Sequence, residues 1–304
     1  MNARARGVAE MTAAMTISGT IGLFVLLADQ PVFNIVFWRC AIGTLTLLLV
    51  CAAMGLFRRG VISRTQIGLA VVGGMAIVTN WIFLFAAYPH TSISIATAVY
   101  NMQPFMLVTM GAIFLKERLT RARLGWLVLA FLGMLAIVQG RPQADYVGSD
   151  YLLGIALALG AAFFYAIAAI ITKKLAGVPP HLIALIQLAV GILMLAPLAD
   201  FRIMPVDMQG WALVIALGVI HTGVMYILLY GAIQKLPTSL TGSLSFVYPV
   251  VAILVDFLAF GIRLHPLQIV GAGGILLAAA GSTLGWSLKT KSTQAMVTAK
   301  PKAM

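Results

Sequence analysis

SISIATAVYNMQPFMLVTMGAIFLKERLTRAR, residues 92–123, is the stretch that decides the fold. It is apolar over the length of a bilayer crossing, yet it carries Tyr100, Asn101 and Gln103 at its middle, just before Pro104. Proline has no amide hydrogen and crowds the carbonyl one turn earlier, so polar backbone is freed beside three hydrogen-bonding side chains. The run stops on Lys116, Glu117, Arg118 and Leu119. Residues 238–264, TSLTGSLSFVYPVVAILVDFLAFGIRL, repeat the design. A shift of 145 residues sets Pro104 on Pro249, Ser94 on Ser239, Phe85 on Tyr230, and Arg118-Leu119 on Arg263-Leu264. The two stretches read as copies of one unit.

Working outward, the rest of the chain is equally suited to lipid. Of 304 residues, 62% are hydrophobic and 9% charged, with a mean hydropathy of +1.03. That is more apolar surface than a soluble core of this size hides. Apolar segments of about 20 residues cross a membrane as helices, because only internally hydrogen-bonded backbone survives in hydrocarbon. Ten spans are expected, near 11–28, 33–57, 66–87, 92–115, 123–139, 151–172, 181–199, 210–233, 238–260 and 266–288. No run of alternating polar and apolar positions points to a barrel. A turn-rich polar linker, 141–150, separates the fifth and sixth spans, and a polar tail, 289–304, follows the last.

The net charge of +12 is accounted for by topology rather than by a nucleic-acid partner. Sixteen of the twenty Lys and Arg fall on one side of the alternating spans, against Arg141, Arg202 and Arg263 on the other. Positive loops stay in the cytoplasm, so both termini are expected there, the first span as a retained anchor and the 141–150 linker in the periplasm. Each copy holds an odd number of spans, so the second enters from the opposite face. The expected fold is all-α and integral to the membrane: ten transmembrane helices as two inverted five-helix repeats, 1–140 and 151–288. Gly125 and Gly133 recur as Gly273 and Gly281 at an offset of 148, which agrees. Halves related in this way build secondary transporters that rock about a central site.

Other chemistry finds little support. Cys40 and Cys51 lie in one predicted helix, ~16 Å apart, too far for a disulfide. There is no phosphate-cradling loop, no His-x-x-x-His or Cys-x-x-Cys metal set and no pair of mid-membrane carboxylates, so neither an enzyme nor a cofactor is expected.

Polar and aromatic groups at mid-membrane are costly unless they face a cavity or a partner. Thr238, Thr241, Ser245, Tyr248, Ala252 and Asp256 draw a stripe down span nine. Tyr100 and Gln103 occupy the positions of Ser245 and Tyr248 on span four, with Asn101 beside them. Asn80 and Trp81 share a face of span three, Trp81 is matched by Tyr226, and Tyr165 sits mid-way along span six. His221, mid-way along span eight, faces with Gly218, Thr222 and Met225. The expected substrate contacts are Asn80, Trp81, Tyr100, Asn101, Gln103, Tyr165, His221, Tyr226, Ser245 and Tyr248. Arg39, Pro104, Pro249 and Asp256 are expected to gate or support. Gly73-Gly74 and Gly273-Gly274 read as close helix contacts. Aromatic walls with neutral amides suit a small zwitterion with an apolar side chain, or a neutral hydrophobic drug, and suit phosphates poorly.

Arg39 early in span two, Pro104 in span four, the Phe114-Leu115-Lys116-Glu117-Arg118-Leu119 closure, and the Gly125 and Gly133 spacing resemble the drug/metabolite transporter superfamily, EamA type, over nearly the whole chain. Within it the chain is most similar to bacterial exporters of aromatic and other apolar amino acids, of the YddG kind. The resemblance implies a bacterial inner-membrane carrier for an amino acid such as methionine. Spans one to four and six to nine would surround a central cavity, with spans five and ten peripheral. Export of another small metabolite or drug, or a membrane-embedded enzyme or receptor, are the alternatives. The second copy departs from the pattern at Gly261-Ile262, where the acid is missing, and at Gln187, which stands opposite Arg39.

Overall fold

The computed structural model describes residues 2–87, 90, 96, 99–139, 150–205, 207–261 and 265–286, without the side chains of Leu26, Asp256 and Phe260. Ser94, the linker up to 149, Arg263-Leu264 and the tail 289–304 lie outside the described residues. All regular structure among those described is helical. In order come α1 (Ala3–Ala28), α2 (Val32–Ala53), α3 (Arg64–Ala87), α4 (Gln103–Phe114), α5 (Arg121–Gln139), α6 (Tyr151–Lys174) and α7 (Pro180–Leu195). Then α8 (Met208–Gly218) passes through a π-helical segment (Val219–Val224) into α9 (Met225–Lys235), followed by α10 (Thr238–Ser245), α11 (Val247–Phe260) and α12 (Pro266–Leu284). Taking Met208–Lys235 and Thr238–Ala259 as single spans, 8 helices among the described residues are long and apolar enough to cross a membrane, and α4 and α7 are shorter apolar helices.

Local chemistry fixes the ends. Asn2 caps α1 by accepting from the Ala5 amide at 2.8 Å, and Asp207 caps α8 through the Gly210 amide at 2.7 Å. His265 and Gln268 form a reciprocal capping box at the start of α12. Large side chains point out of the bundle: Leu152 is 81% exposed, Leu193 78% and Leu258 70%. Residues this apolar on a continuous outer face belong in lipid rather than water.

The prolines stand in the first turn after a break rather than inside a continuous helix. Span four turns at Asn101 and Met102 and restarts as α4, with Pro104 in the first turn. Span nine breaks at Phe246 and restarts as α11, with Pro249 in the first turn. A first-turn residue has no intrahelical acceptor for its amide hydrogen, so proline costs least there. The breaks stand at corresponding places in the two copies.

Packing ties the two halves of the chain together. α1 lies against α9 and α11, α2 against α7 and α8, α3 against α6 and α7, α4 against α6 and α10, and α5 against α12. Gly73 and Gly74 press on Gln187 of α7, as expected. The corresponding expectation for Gly273-Gly274 holds for one of the two: a Cβ on Gly274 would lie 3.9 Å from Gly133 Cα, one on Gly273 would meet nothing within 4 Å, and the closest approach is made by Gly271. A Cβ on Gly133 would come 2.6 Å from the Gly271 carbonyl oxygen, so α5 and α12 touch backbone to backbone. That pair has its own apolar core with α4 and α11, around Leu127, Met134, Ile137, Phe246 and Ile275.

Candidate functional site

A cavity of about 310 Å³ lies mid-way through the bundle, lined from α1, α2, α3, α4, α6, α9 and the break regions. Asn80, Trp81, Tyr100, Gln103, Tyr165, Tyr226, Ser245 and Tyr248 all reach its wall, and so does Arg39. Its aromatic rings meet edge to face, Trp81 with Tyr226 at 6.1 Å and Tyr100 with Tyr165 at 6.3 Å. This is the favoured quadrupole geometry, which stiffens the wall. Asn80 Nδ2 donates to the Ala161 carbonyl at 2.8 Å and so pins α3 to α6, while its Oδ1 and Gln103 Oε1 have no hydrogen-bond partner. Pro104 and Pro249 have no N–H to offer the carbonyls of Tyr100 and Ser245, four residues earlier, and both of those residues line the cavity. A larger hollow, about 350 Å³, lies among Arg121, Gly125, Trp126, Leu129 and Trp286 at the rim of α5 and α12, away from the mid-membrane polar groups. Paired tryptophans there are what a membrane-water interface selects.

Arg39 is held by the π-helical segment. Its Nε donates to Thr222 Oγ1 at 3.1 Å, Nη2 reaches the His221 carbonyl at 3.5 Å, and the guanidinium carbon stands 6.0 Å from the centre of the Trp81 ring. Thr222 in turn donates to the Leu217 carbonyl, five residues back, at 2.8 Å. α2 comes this close because Gly43 and Gly218 face each other across the contact; a Cβ on Gly218 would strike Ile42 at 2.5 Å. The π wind is not anticipated from sequence, although Gly218 and Gly223 bracketing His221-Thr222 are its visible trace.

Two expected contacts stand off the wall. His221 Nε2 shares a 2.9 Å hydrogen bond with Thr20 Oγ1, Nδ1 lies 3.3 Å from the Ala216 carbonyl, and the ring packs on Phe24 at 4.5 Å. The histidine therefore fastens α1 to the π segment rather than lining the cavity. Asn101 Nδ2 donates to Tyr248 Oη at 3.3 Å, which joins the two helix breaks. The Asp256 side chain lies outside the described residues. Sequence reasoning misses Met15, Ser18, Ile21 and Gly22 of α1, which line the cavity along with Ile77, Met225 and Leu229. Small and apolar residues on a spanning helix carry no signal that separates a cavity from packing.

One end of the bundle is closed below this cavity. All of α10 is buried. Lys116, in the left-handed region at φ 54°, ends α4 and turns Glu117 back toward α10. Glu117 Oε2 accepts from the Thr238 amide and hydroxyl, each at 2.8 Å, and Oε1 pairs with Lys173 at 2.9 Å. Lys173 also donates to the Leu236 carbonyl. Nearby, Glu10 joins Lys235 at 2.6 Å and Arg6 at 2.9 Å, which ties α1 to α9. Burial alone would raise the Glu117 carboxyl, but the Lys173 hydrogen bond and the two Thr238 donors outweigh it and hold the group below its ordinary value.

Comparison with known proteins gives this arrangement a family. The sequence profile of the EamA-like transporter family matches residues 5–139 and again 152–284. The chain is 30% identical over 298 residues to an uncharacterized transporter, YxxF, of Bacillus subtilis, covering 98% of this chain and 94% of the relative. It is 31% identical over 196 residues to the pseudopaline exporter CntI of Pseudomonas aeruginosa, 64% of this chain and 66% of the relative. With the threonine/homoserine exporter RhtA of Escherichia coli it shares 30% identity over 164 residues, 52% of this chain and 54% of the relative. A solved crystal structure at 20% identity matches with a TM-score of 0.82 over 92% of this chain and 97% of its own, which establishes the shared fold. The chain belongs to the EamA-like transporter family, multi-pass membrane proteins of the drug/metabolite transporter superfamily.

Proposed function

We propose that the protein is a secondary transporter that exports amino acids, aromatic and other apolar ones such as methionine, across the bacterial inner membrane by alternating access. One observation carries the reading: a cavity of about 310 Å³, walled by Trp81, Tyr100, Tyr165, Tyr226 and Tyr248 and carrying the neutral amides Asn80 and Gln103. Small-molecule sites run from roughly 300 to 1,000 Å³, so this one suits a single amino acid better than a bulky conjugate. The carbonyls of Tyr100 and Ser245, deprived of helical donors, offer acceptors for an ammonium group.

In the architecture we propose, ten spans form two inverted repeats, 1–140 and 151–288, with a periplasmic linker and both termini in the cytoplasm. The packing supports it. Numbered along the chain, the spans pair one with eight, three with six, two with seven, four with nine and five with ten. Exchanging each span with its counterpart in the other half leaves that set unchanged. The closed end carries Glu10, Glu117, Lys173 and Lys235, the side assigned to the cytoplasm by the positive charges. Relatives named as exporters support outward movement, and the pseudopaline exporter among them keeps other small metabolites as the second reading. The test is flux of labelled tryptophan, phenylalanine and methionine through purified protein in liposomes. Saturable, mutually competing flux is expected; a carrier that moves none of them, and whose traffic in another solute they leave untouched, has a different substrate.

A further inference from the structure

We infer that Arg39 is the anchor for the substrate's carboxylate, so that a free acid group is a condition of recognition; this rests on the amino-acid reading above. Arg39 is 9% exposed and lines the cavity, and no carboxylate among the described residues pairs with it. A guanidinium stays charged, and a charge at membrane depth without a counter-ion is costly enough to require a partner. The protein supplies only part of one. Nε is taken by Thr222 and Nη2 has a long contact to a carbonyl, whereas Nη1 carries no hydrogen bond and is not among the polar atoms sealed from the cavity. The Nε bond and the Trp81 face fix the plane of the guanidinium and leave the edge formed by Nη1 and Nη2 for a ligand. A planar two-oxygen anion fits that edge through two parallel hydrogen bonds. The rest of the wall is neutral: Asn80, Gln103, Ser245 and the tyrosines line it, and Pro104 and Pro249 leave the Tyr100 and Ser245 carbonyls without an N–H four residues on. One cation among neutral polar groups is the complement of a molecule that carries an acid.

The test measures protection of the purified full-length protein against heat by four probes matched in shape: L-phenylalanine, L-phenylalaninamide, phenethylamine and 3-phenylpropionate. With the wild-type protein, the two acids should bind on the order of 10- to 100-fold more tightly than the amide and the amine, as expected for a charge-assisted pair. Arg39→Gln should remove that preference, and Arg39→Lys, which keeps the charge but not the fork, should retain only part of it. Equal binding of phenylalanine and its amide by the wild type overturns the anchor while leaving amino-acid transport standing, and so does an Arg39→Gln protein that keeps the full preference. Arg39-dependent protection by 3-phenylpropionate without any by phenylalanine sinks the amino-acid reading and leaves the anchor. Equal protection by chloride or inorganic phosphate would also overturn the assignment to a carboxylate.

Discussion

Replacing Glu117 by Gln should loosen the closed end of the bundle, and the size of the effect follows from the hydrogen bonds it breaks. The carboxylate accepts two hydrogen bonds at 2.8 Å from Thr238 and one at 2.9 Å from Lys173. Glutamine keeps one oxygen for the Thr238 donors but turns its amide hydrogens toward the Lys173 ammonium, donor against donor. A buried hydrogen bond to a charged group contributes about 1.5–3 kcal/mol. The half-exposed site, screened by water, brings the expected loss to about 1–1.5 kcal/mol. That is roughly a tenfold shift in the population of the opened end. Ser239 on α10 is buried with an unpartnered hydroxyl, so Ser239→Cys makes a mild reporter, and the native Cys40 and Cys51 are both buried. The labelling rate of that cysteine with a membrane-impermeant maleimide should rise about tenfold in the Glu117→Gln background. A rate unchanged in a folded protein would refute the role of the Glu117 bridge. The pH dependence has a definite sign. A carboxyl held below its ordinary value of 4.5 stabilises the closed form at any pH above that value and loses its contribution as the pH falls through the lowered one. Labelling, normalised to that of a free thiol at the same pH, should therefore be flat from about pH 6 to 8 and rise only in acid.

Two further expectations concern packing. Gly133→Val places a branched side chain against the Gly271 backbone and should cost about 1–3 kcal/mol, read as a lower melting temperature in detergent, whereas Gly273→Ala, with open space around it, should be neutral or slightly stabilising. Tyr230→Phe removes the phenol that donates to Gln187 Oε1; the Gln187 Nε2 is already unpartnered, so the buried amide would be left bare at a cost of about 1–3 kcal/mol, measurable by chemical denaturation.

The apolar helices and most of the cavity wall are legible in the sequence because each rests on a local rule. Pro104 and Pro249 mark the breaks, although the turn precedes each proline rather than bending at it. Asn80, Trp81, Tyr100, Gln103, Tyr165, Tyr226, Ser245 and Tyr248 stand out because polar and ring atoms at mid-membrane demand a partner. His221 is misplaced for a specific reason. A helical wheel assumes 3.6 residues per turn, and the π segment at Val219–Val224 bonds five residues back, so the face shared with Gly218 and Met225 on the wheel is not shared in space. Met225 reaches the cavity and His221 does not. The role of α1 is hidden for the opposite reason: Met15, Ser18, Ile21 and Gly22 break no rule. Arg39 reads as gating or support because its neighbours on α2 give no sign that it lines a cavity.

The bridge at Glu117 has no equivalent in the second copy, where Ile262 stands at the matching place in the sequence, and Glu10 is matched by Ile155. In a carrier that alternates as proposed, a clasp made by one copy and without a counterpart in the sequence of the other would bias it toward one of its states before any cargo arrives. If it works as proposed, it would rest empty with its charged end shut, and loading would first have to overcome the clasp, making idle opening and back-leak rare and that step slow. Selection on such a carrier would act on the strength of one surface ion pair as much as on the shape of the cavity, trading speed against tightness without touching a residue that meets the substrate.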